Sequence, residues 1–262
     1  MDRMKHRILV TGSAGRLGRA AVAALTASGH LVVGFDLRPT PGLPAGQQHV
    51  ATLADLDVLR SAAAGVDRII HLAATPDDAR YPRGTPPDDG DNFLDGLMPN
   101  NVVGLYHILE IARRQKIPRL ILASSGQVVD RHLDTGPLPL NSATRFAPRY
   151  LYACTKVFLE AMGEVYAREH GIEVLAVRLG WCPRDAGQVA QIAASPEDQD
   201  VYLSPGDAGR FFVAAVEAPF AGFHVTYATS RPVNTFLYDL SETTRLIGFV
   251  PRDAWPTGAN EG

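Results

Sequence analysis

Tyr152 and Lys156, in the run Tyr152-Ala153-Cys154-Thr155-Lys156, stand four residues apart. On a helix that spacing puts phenol and ammonium on one face, where a fixed positive charge stabilises tyrosinate and draws the phenol pKa toward neutrality. A tyrosine tuned in this way takes a proton from an alcohol. The same pair also arises as an ordinary surface contact, so composition and context have to weigh in. Among 25 cationic residues the lysines are Lys5, Lys116 and Lys156 alone. In a chain that otherwise uses arginine, a lysine here points to a need for a compact ammonium. Upstream, Leu120-Ile121-Leu122-Ala123-Ser124-Ser125-Gly126-Gln127-Val128 puts two hydroxyls at the carboxyl end of an apolar run, the edge where open α/β sheets bind ligands. A serine there either caps backbone groups or donates to a substrate oxygen and orients it.

A second constellation lies at the start of the chain. Ile8-Leu9-Val10-Thr11-Gly12-Ser13-Ala14-Gly15-Arg16-Leu17-Gly18 reads as a strand that turns through glycines into a helix. Gly12 permits the tight turn, Gly15 lets the backbone approach a pyrophosphate, and Gly18 lets the helix lie close on the sheet. Ser13, Ala14, Arg16 and Leu17 complete the cradle, where the helix N-terminus supplies N–H donors and partial positive charge. Glycines at G-x-x-G-x-x-G spacing also end strands for purely steric reasons, but the position between strand and helix favours a dinucleotide site. Eighteen residues past Gly18, Asp36 closes the next apolar run, where a carboxylate accepts hydrogen bonds from the adenosine ribose hydroxyls. That choice favours NAD, since a 2′-phosphate would be repelled; of the adjoining Leu37 and Arg38, the arginine partly offsets the repulsion. A merely solvated strand-end acid is the competing reading, and the distance from the glycines argues against it.

These groups need elements to position them. Apolar runs alternate with amphipathic stretches, the mark of a parallel sheet with helices on both faces. The predicted strands are Arg7–Thr11, Leu31–Asp36, His49–Leu53, Asp67–His71, Arg119–Ser124 and Glu173–Leu179, with a later one at Phe223–Tyr227. Predicted helices cover Arg16–Ser28, Phe93–Gln115 with Pro99 as kink or start, Tyr150–His170, Gly206–Glu217 and Leu240–Ile247. Thr75–Gly96 and Asp134–Pro148 read as turn-rich crossings, and Gly180–Pro205 as irregular chain. With 262 residues, 46% apolar, there is material for one sizeable core. A net charge of −3 offers no basic stripe for nucleic acid. No apolar run nears the length of a membrane span, and the first residues lead into a strand without a signal core, so a cytoplasmic address is expected. Cys154 and Cys182 have neither disulfide nor zinc spacing, and the eight histidines show no ligand pairing, so no metal is expected. His71 reads as a strand-end packing residue, and Phe211-Phe212 as core.

Taken together, Thr11-Gly12-x-x-Gly15-x-x-Gly18, Asp36, His71-Leu72-Ala73-Ala74, Asn101-Val102-Val103-Gly104, Ser124-Ser125-x-x-Val128, Tyr152-x-x-x-Lys156 and Arg178-Leu179-Gly180 resemble the extended short-chain dehydrogenase/reductase superfamily over nearly the whole chain. The short length, Leu105-Tyr106, Leu203-Ser204-Pro205-x-Asp207 and the ending from Tyr238-Asp239-Leu240 to Pro251 are similar to the uronate dehydrogenase branch of the NAD-dependent epimerase/dehydratase family. The resemblance implies that Tyr152 is the general base, Lys156 its electrostatic partner and a ribose ligand, and Ser125 the hydroxyl that holds the substrate oxygen. Ser125 is preferred to Ser124 because the family's serine lies three residues before the valine, here Val128. It also implies Asn101 near the nicotinamide ribose, Leu72, Ala73 and Ala74 along the cofactor, and the loop after Arg178, with Trp181, at the nicotinamide end. A homodimer through the two long helices is the superfamily's usual assembly.

The chain departs from that pattern in four places. Thr52-Leu53 replaces the Asp-Leu that contacts adenine, and Gly126-Gln127 replaces the Asn-His that follows the catalytic serine in uronate enzymes. A substrate-contacting serine falls at Pro76, with Thr75 beside it as the substitute. The carboxylate-binding arginine has no clear counterpart: Arg184 is the sole cation in 181–209. The expectation is an α/β fold, a doubly wound parallel Rossmann sheet through about residue 179, followed by a small substrate-side region of the same domain over 180–262. Its function would be NAD-linked oxidation of a small sugar or related polyol by Ser125, Tyr152 and Lys156. A sugar-nucleotide epimerase or dehydratase would need a larger carboxyl-terminal lobe, and a non-catalytic dinucleotide sensor would not need the triad.

Overall fold

Ile8, Leu9 and Val10 have no solvent exposure at all, which requires a strand covered on both faces. In the computed structural model, which describes residues 5–76 and 92–260, this strand is β1 (Arg7–Thr11), an interior strand of a seven-stranded parallel sheet. The others are β2 (Leu31–Asp36), β3 (Gln48–Val50), β4 (Arg68–His71), β5 (Arg119–Ser125), β6 (Glu173–Leu179) and β7 (Phe223–Ala228), in the order β3-β2-β1-β4-β5-β6-β7. Ile8 pairs with Val32 on one side and Arg68 on the other. The chain runs outward from β1 to β3 and then returns to β4, so the strand order reverses beside β1. Ligands bind at such a switch point, outside the carboxyl ends of the strands.

Alternate residues of each strand serve the two faces. Ile8, Val10, Ile70, Ile121 and Val177 pack with α1 (Arg16–Ala27) and the helix Pro205–Glu217. Leu9, Ile69, Leu120 and Leu122 pack with α2 (Leu56–Ala62), α3 (Leu105–Gln115) and the helix Leu151–His170. The remaining helices, in chain order, are α4 (Arg131–Thr135), α5 (Leu151–His170), α6 (Ala186–Ala194), α7 (Pro196–Asp200), α8 (Pro205–Glu217) and α9 (Ser241–Ile247). Residues past Leu179 thus extend the sheet by β7 and lay α8 against α1.

Three differences from the expected elements have local causes. The single helix expected over 93–115 is a wide π-type segment, Phe93–Gly104, leading into α3, because Pro99 lacks the N–H that a regular turn needs. The segment 180–205, expected to be irregular, holds α6 and α7, whose starts are capped by Asp185 accepting from the Gln188 N–H and Ser195 accepting from the Asp198 N–H. The third strand ends at Val50, leaving Thr52 and Leu53 in the turn beyond it. Of the crossing expected over 75–96, residues 77–91 lie outside the described residues.

Candidate active site

The glycine turn after β1 is built by close approach. Gly12 has φ +71°, and a Cβ there would lie 2.6 Å from the Ala73 nitrogen; a Cβ on Gly18 would collide with the Gly12 carbonyl oxygen. Gly15, the extended residue just before α1, would meet only that carbonyl, at 3.2 Å, and its bare face lines a cleft of about 340 Å³. Ser13 is buried with its hydroxyl 2.5 Å from that of Thr40, and Leu17 packs against the core, so neither side chain lines the cleft. Arg16 turns away and donates to the carbonyls of Gly258 and Ala259, at 2.8 and 2.9 Å.

Asp36, at the end of β2, accepts the Ala14 N–H at 3.0 Å on one oxygen and the Arg38 N–H at 3.2 Å on the other. Its carboxylate is thereby aimed along the cleft, with lone pairs left for a ribose. Leu37, Arg38 and Leu53 line one wall, and Leu72, Ala73, Ala74 and Thr75 the other. Bare Gly15, the amide-rich start of α1 and fixed Asp36 fit a dinucleotide laid across the switch point. Thr52 is not on this lining; its hydroxyl accepts the Ala54 N–H within its own turn.

Lys156 is 4% exposed, and its Nζ lies 5.4 Å from the centre of the Tyr152 ring. Burial lowers its pKa to about 8. His71, buried at the end of β4, is held down at about 3 by burial and by the Lys156 charge, so it stays neutral; its Nδ1 lies 2.8 Å from the Thr11 hydroxyl. Asn101, in the π-type segment, joins the walls. Its Oδ1 accepts the Thr75 N–H at 2.8 Å, and its Nδ2 donates to the Thr75 carbonyl at 2.9 Å and to the Thr155 hydroxyl at 3.2 Å. Thr155 in turn donates to the Tyr152 carbonyl at 2.7 Å. One chain of hydrogen bonds therefore runs from the loop after β4 to the turn of α5 that carries Tyr152.

The paired serines have different surroundings. Ser124 is buried and donates to Glu160 at 2.5 Å; Glu160 also takes both arms of Arg178, whose third nitrogen donates to the Tyr227 hydroxyl. Ser125, half-buried at the end of β5, accepts the Gln127 N–H at 3.2 Å and keeps its own proton to donate. A Cβ on Gly126 would lie 2.6 Å from the Tyr238 hydroxyl. Gln127 Oε1 is buried and makes no hydrogen bond among the described residues. Trp181 packs with Ile192, Tyr202 and Ala259 and donates from its indole to Gln188 at 3.3 Å, while the Arg184 side chain is exposed. The sequence reading passed over Glu160, Tyr238 as a neighbour of Gly126, and Asn100, which lines the cleft. Only Asn100 had a signal, its place beside Asn101. Among the described residues no cluster of His, Cys, Asp and Glu suits a metal ion, and no helix is long and apolar enough to cross a membrane.

The NAD dependent epimerase/dehydratase family matches residues 8–181. An L-arabinose 1-dehydrogenase (NAD(P)(+)) of Haloferax volcanii is 32% identical, covering 94% of this chain and 96% of that one. A uronate dehydrogenase of Pseudomonas syringae is 27% identical over 95% of this chain and 82% of its own. The crystal structure of uronate dehydrogenase from Agrobacterium tumefaciens superposes with a TM-score of 0.73 at 25% identity, covering 95% of this chain and 85% of that one. The chain belongs to the NAD dependent epimerase/dehydratase family, on the uronate dehydrogenase branch of the extended short-chain dehydrogenases/reductases, as an enzyme of the NAD(P)-dependent dehydrogenase type with NAD as its cofactor.

Proposed function

We propose that this protein oxidises a small uncharged sugar, with Tyr152 as general base. The observation that carries the reading is Lys156, buried against the Tyr152 ring with no carboxylate bonded to it among the described residues. A lone buried ammonium is costly, and a neighbouring phenol that becomes tyrosinate compensates it. Bound NAD, cradled by the Gly12–Gly18 turn and Asp36, supplies the hydride acceptor. Tyr152 removes the hydroxyl proton from the carbon that gives up hydride, and Ser125 donates to the same oxygen and orients it. If that hydroxyl is anomeric, the product is a lactone.

The electrostatics support a neutral substrate. Among the described residues Arg178 is committed to Glu160, Arg149 to Asp130 and Asp134, and Arg184 is exposed. A substrate carboxylate buried without a bidentate partner is costly. The similarity to an L-arabinose 1-dehydrogenase points the same way. NAD reduction measured with L-arabinose and other aldoses, beside glucuronate and galacturonate, tests the substrate: strong uronate activity that collapses in Arg184→Ala refutes it. Tyr152→Phe is expected to keep NAD affinity and lose about two orders of magnitude or more in turnover. Near-normal turnover in that variant would remove Tyr152 as the base.

The same proposal includes a cytoplasmic homodimer. Unpaired Cys154 and Cys182 suit a reducing compartment, and the exposed Val103, Tyr106, Leu151 and Val165 on the two long helical segments offer apolar surface for pairing. Light scattering that returns a monomer across micromolar concentrations would exclude the dimer.

A further inference from the structure

The turn after β3 gives the cleft only Ala51 and Leu53, because Thr52 spends its hydroxyl on the Ala54 N–H. That part of the wall is apolar side chain and main chain, and it is as firm as whatever holds its backbone. Two residues three apart in the chain hold it from behind. Gly104 is bare where a Cβ would lie 2.6 Å from Leu53 Cδ1 and 3.1 Å from its Cβ, which seats the leucine side chain on the helical backbone. His107, half-buried in the first turn of α3, has its Nδ1 2.8 Å from the Leu53 carbonyl oxygen. A carbonyl only accepts, so Nδ1 carries the proton and donates it. Among the described residues this is the one hydrogen bond that the Leu53 carbonyl makes. No residue of α3 lines the cleft, so His107 touches the site only through Leu53.

We propose that His107 is a positioning residue for the dinucleotide, which fixes the Leu53 peptide and with it the wall that receives the adenine. Asp36 takes the ribose, and the base attached to that ribose lies on the β3 side of the cleft, where Ala51 and Leu53 are. With Thr52 turned into its own loop, recognition of the base falls to this wall. A wall already in its bound conformation leaves less ordering to be done when the ligand arrives, so holding it raises affinity without touching the chemistry at Tyr152. His107 thus acts on binding of the adenosine half of the cofactor, and neither on hydride transfer nor on the sugar.

This inference rests on the dinucleotide lying across the switch point, and not on the choice of sugar. NAD and ADP-ribose are titrated by fluorescence into the cofactor-free wild type, His107→Ala, His107→Asn and His107→Asp, and kcat and the sugar KM are measured at saturating NAD with the best aldose. His107→Ala is expected to weaken NAD and ADP-ribose by the same factor, about threefold to tenfold, with kcat and the sugar KM within about twofold of wild type. His107→Asn, whose Nδ2 stands where the ring Nδ1 stood, should recover most of the affinity. His107→Asp, whose carboxylate repels the Leu53 carbonyl, should bind at least as weakly as His107→Ala. Wild-type affinity for both ligands in His107→Ala, a loss that falls on kcat instead, or His107→Asn binding no more tightly than His107→Ala would overturn the inference. Undiminished NAD affinity in Asp36→Ala, together with no binding of ADP-ribose by the wild type, would instead bring down the placement of the dinucleotide on which it rests.

Discussion

Lys156 holds a charge where the protein offers it little solvation. Burial lowers its pKa from 10.5 to about 8, so at pH 7 it is protonated in both folded and unfolded chains and the folded state bears the whole penalty. A shift of that size corresponds to about 3 kcal/mol. Lys156→Met is therefore expected to abolish turnover while raising stability toward urea at pH 7. Between about pH 8 and pH 10.5 the folded protein sheds this proton before the unfolded one does, so wild-type stability should rise relative to the variant across that window. Urea melts of both proteins at pH 7 and pH 10 measure the two differences, and a Lys156→Met protein less stable at pH 7 would show that the ammonium is compensated in the cofactor-free state. Arg178 is the contrasting case: equally buried, it has a full bidentate partner in Glu160 and so contributes architecture, not charge to the site.

At the scale of elements, the turn carrying Ser125 is gripped from both ends. Ser124 is tied through Glu160 and Arg178 to Tyr227, and Tyr227 stacks on Tyr238 with ring centres 4.7 Å apart. Tyr238 lies against Gly126, in a small buried cluster with Val128, Val129 and Leu140. The Leu140 N–H donates to the Leu237 carbonyl and the Leu140 carbonyl accepts the Asp239 N–H, both at 2.8 Å, so Tyr238 between them has little room to withdraw. Gly126→Ala is expected to displace the turn and cut kcat by about tenfold while leaving NAD affinity alone. Tyr238→Phe added to it removes the contact at 2.6 Å and leaves one at 3.1 Å, so part of the rate should return. Steady-state kinetics of the three variants decide the matter; a Gly126→Ala enzyme with wild-type kcat would mean the turn yields elsewhere.

Across the whole molecule, the carboxyl-terminal segment folds back onto the dinucleotide turn. Arg16, at the positive end of α1, is unfavourable there by charge, and its guanidinium is used to hold the Gly258 and Ala259 carbonyls. Ala259 also packs with Trp181, Ile192 and Tyr202, which ties the region after β6 to the same anchor. Arg16→Ala should cost roughly 1–3 kcal/mol by stranding those carbonyls, and should expose 254–260 to protease, both readable from urea melts and limited digestion. Unchanged stability and digestion would show that the segment is held by its aromatic contacts alone.

The elements and groups with local signatures were legible in the amino-acid order itself. β1, β5 and β6 are covered on both faces and so read as continuous apolar runs, while Tyr152 with Lys156 follows from helical spacing and Asp36 from its distance to the glycines. The caps of α6 and α7 were also written there, in Asp185 with Gln188 and Ser195 with Pro196, but α6 is a short alanine-rich helix with one buried residue and α7 a single polar turn, so neither has a long apolar stripe to announce it. Tertiary structure alone decided the partnerships that cross the fold: Glu160 with Arg178, Tyr238 against Gly126, Arg16 with the carboxyl-terminal carbonyls, and His107 on the Leu53 carbonyl. Each joins residues distant in sequence, or depends on which way a side chain faces. Strand order and packing determine both, and no local pattern encodes them.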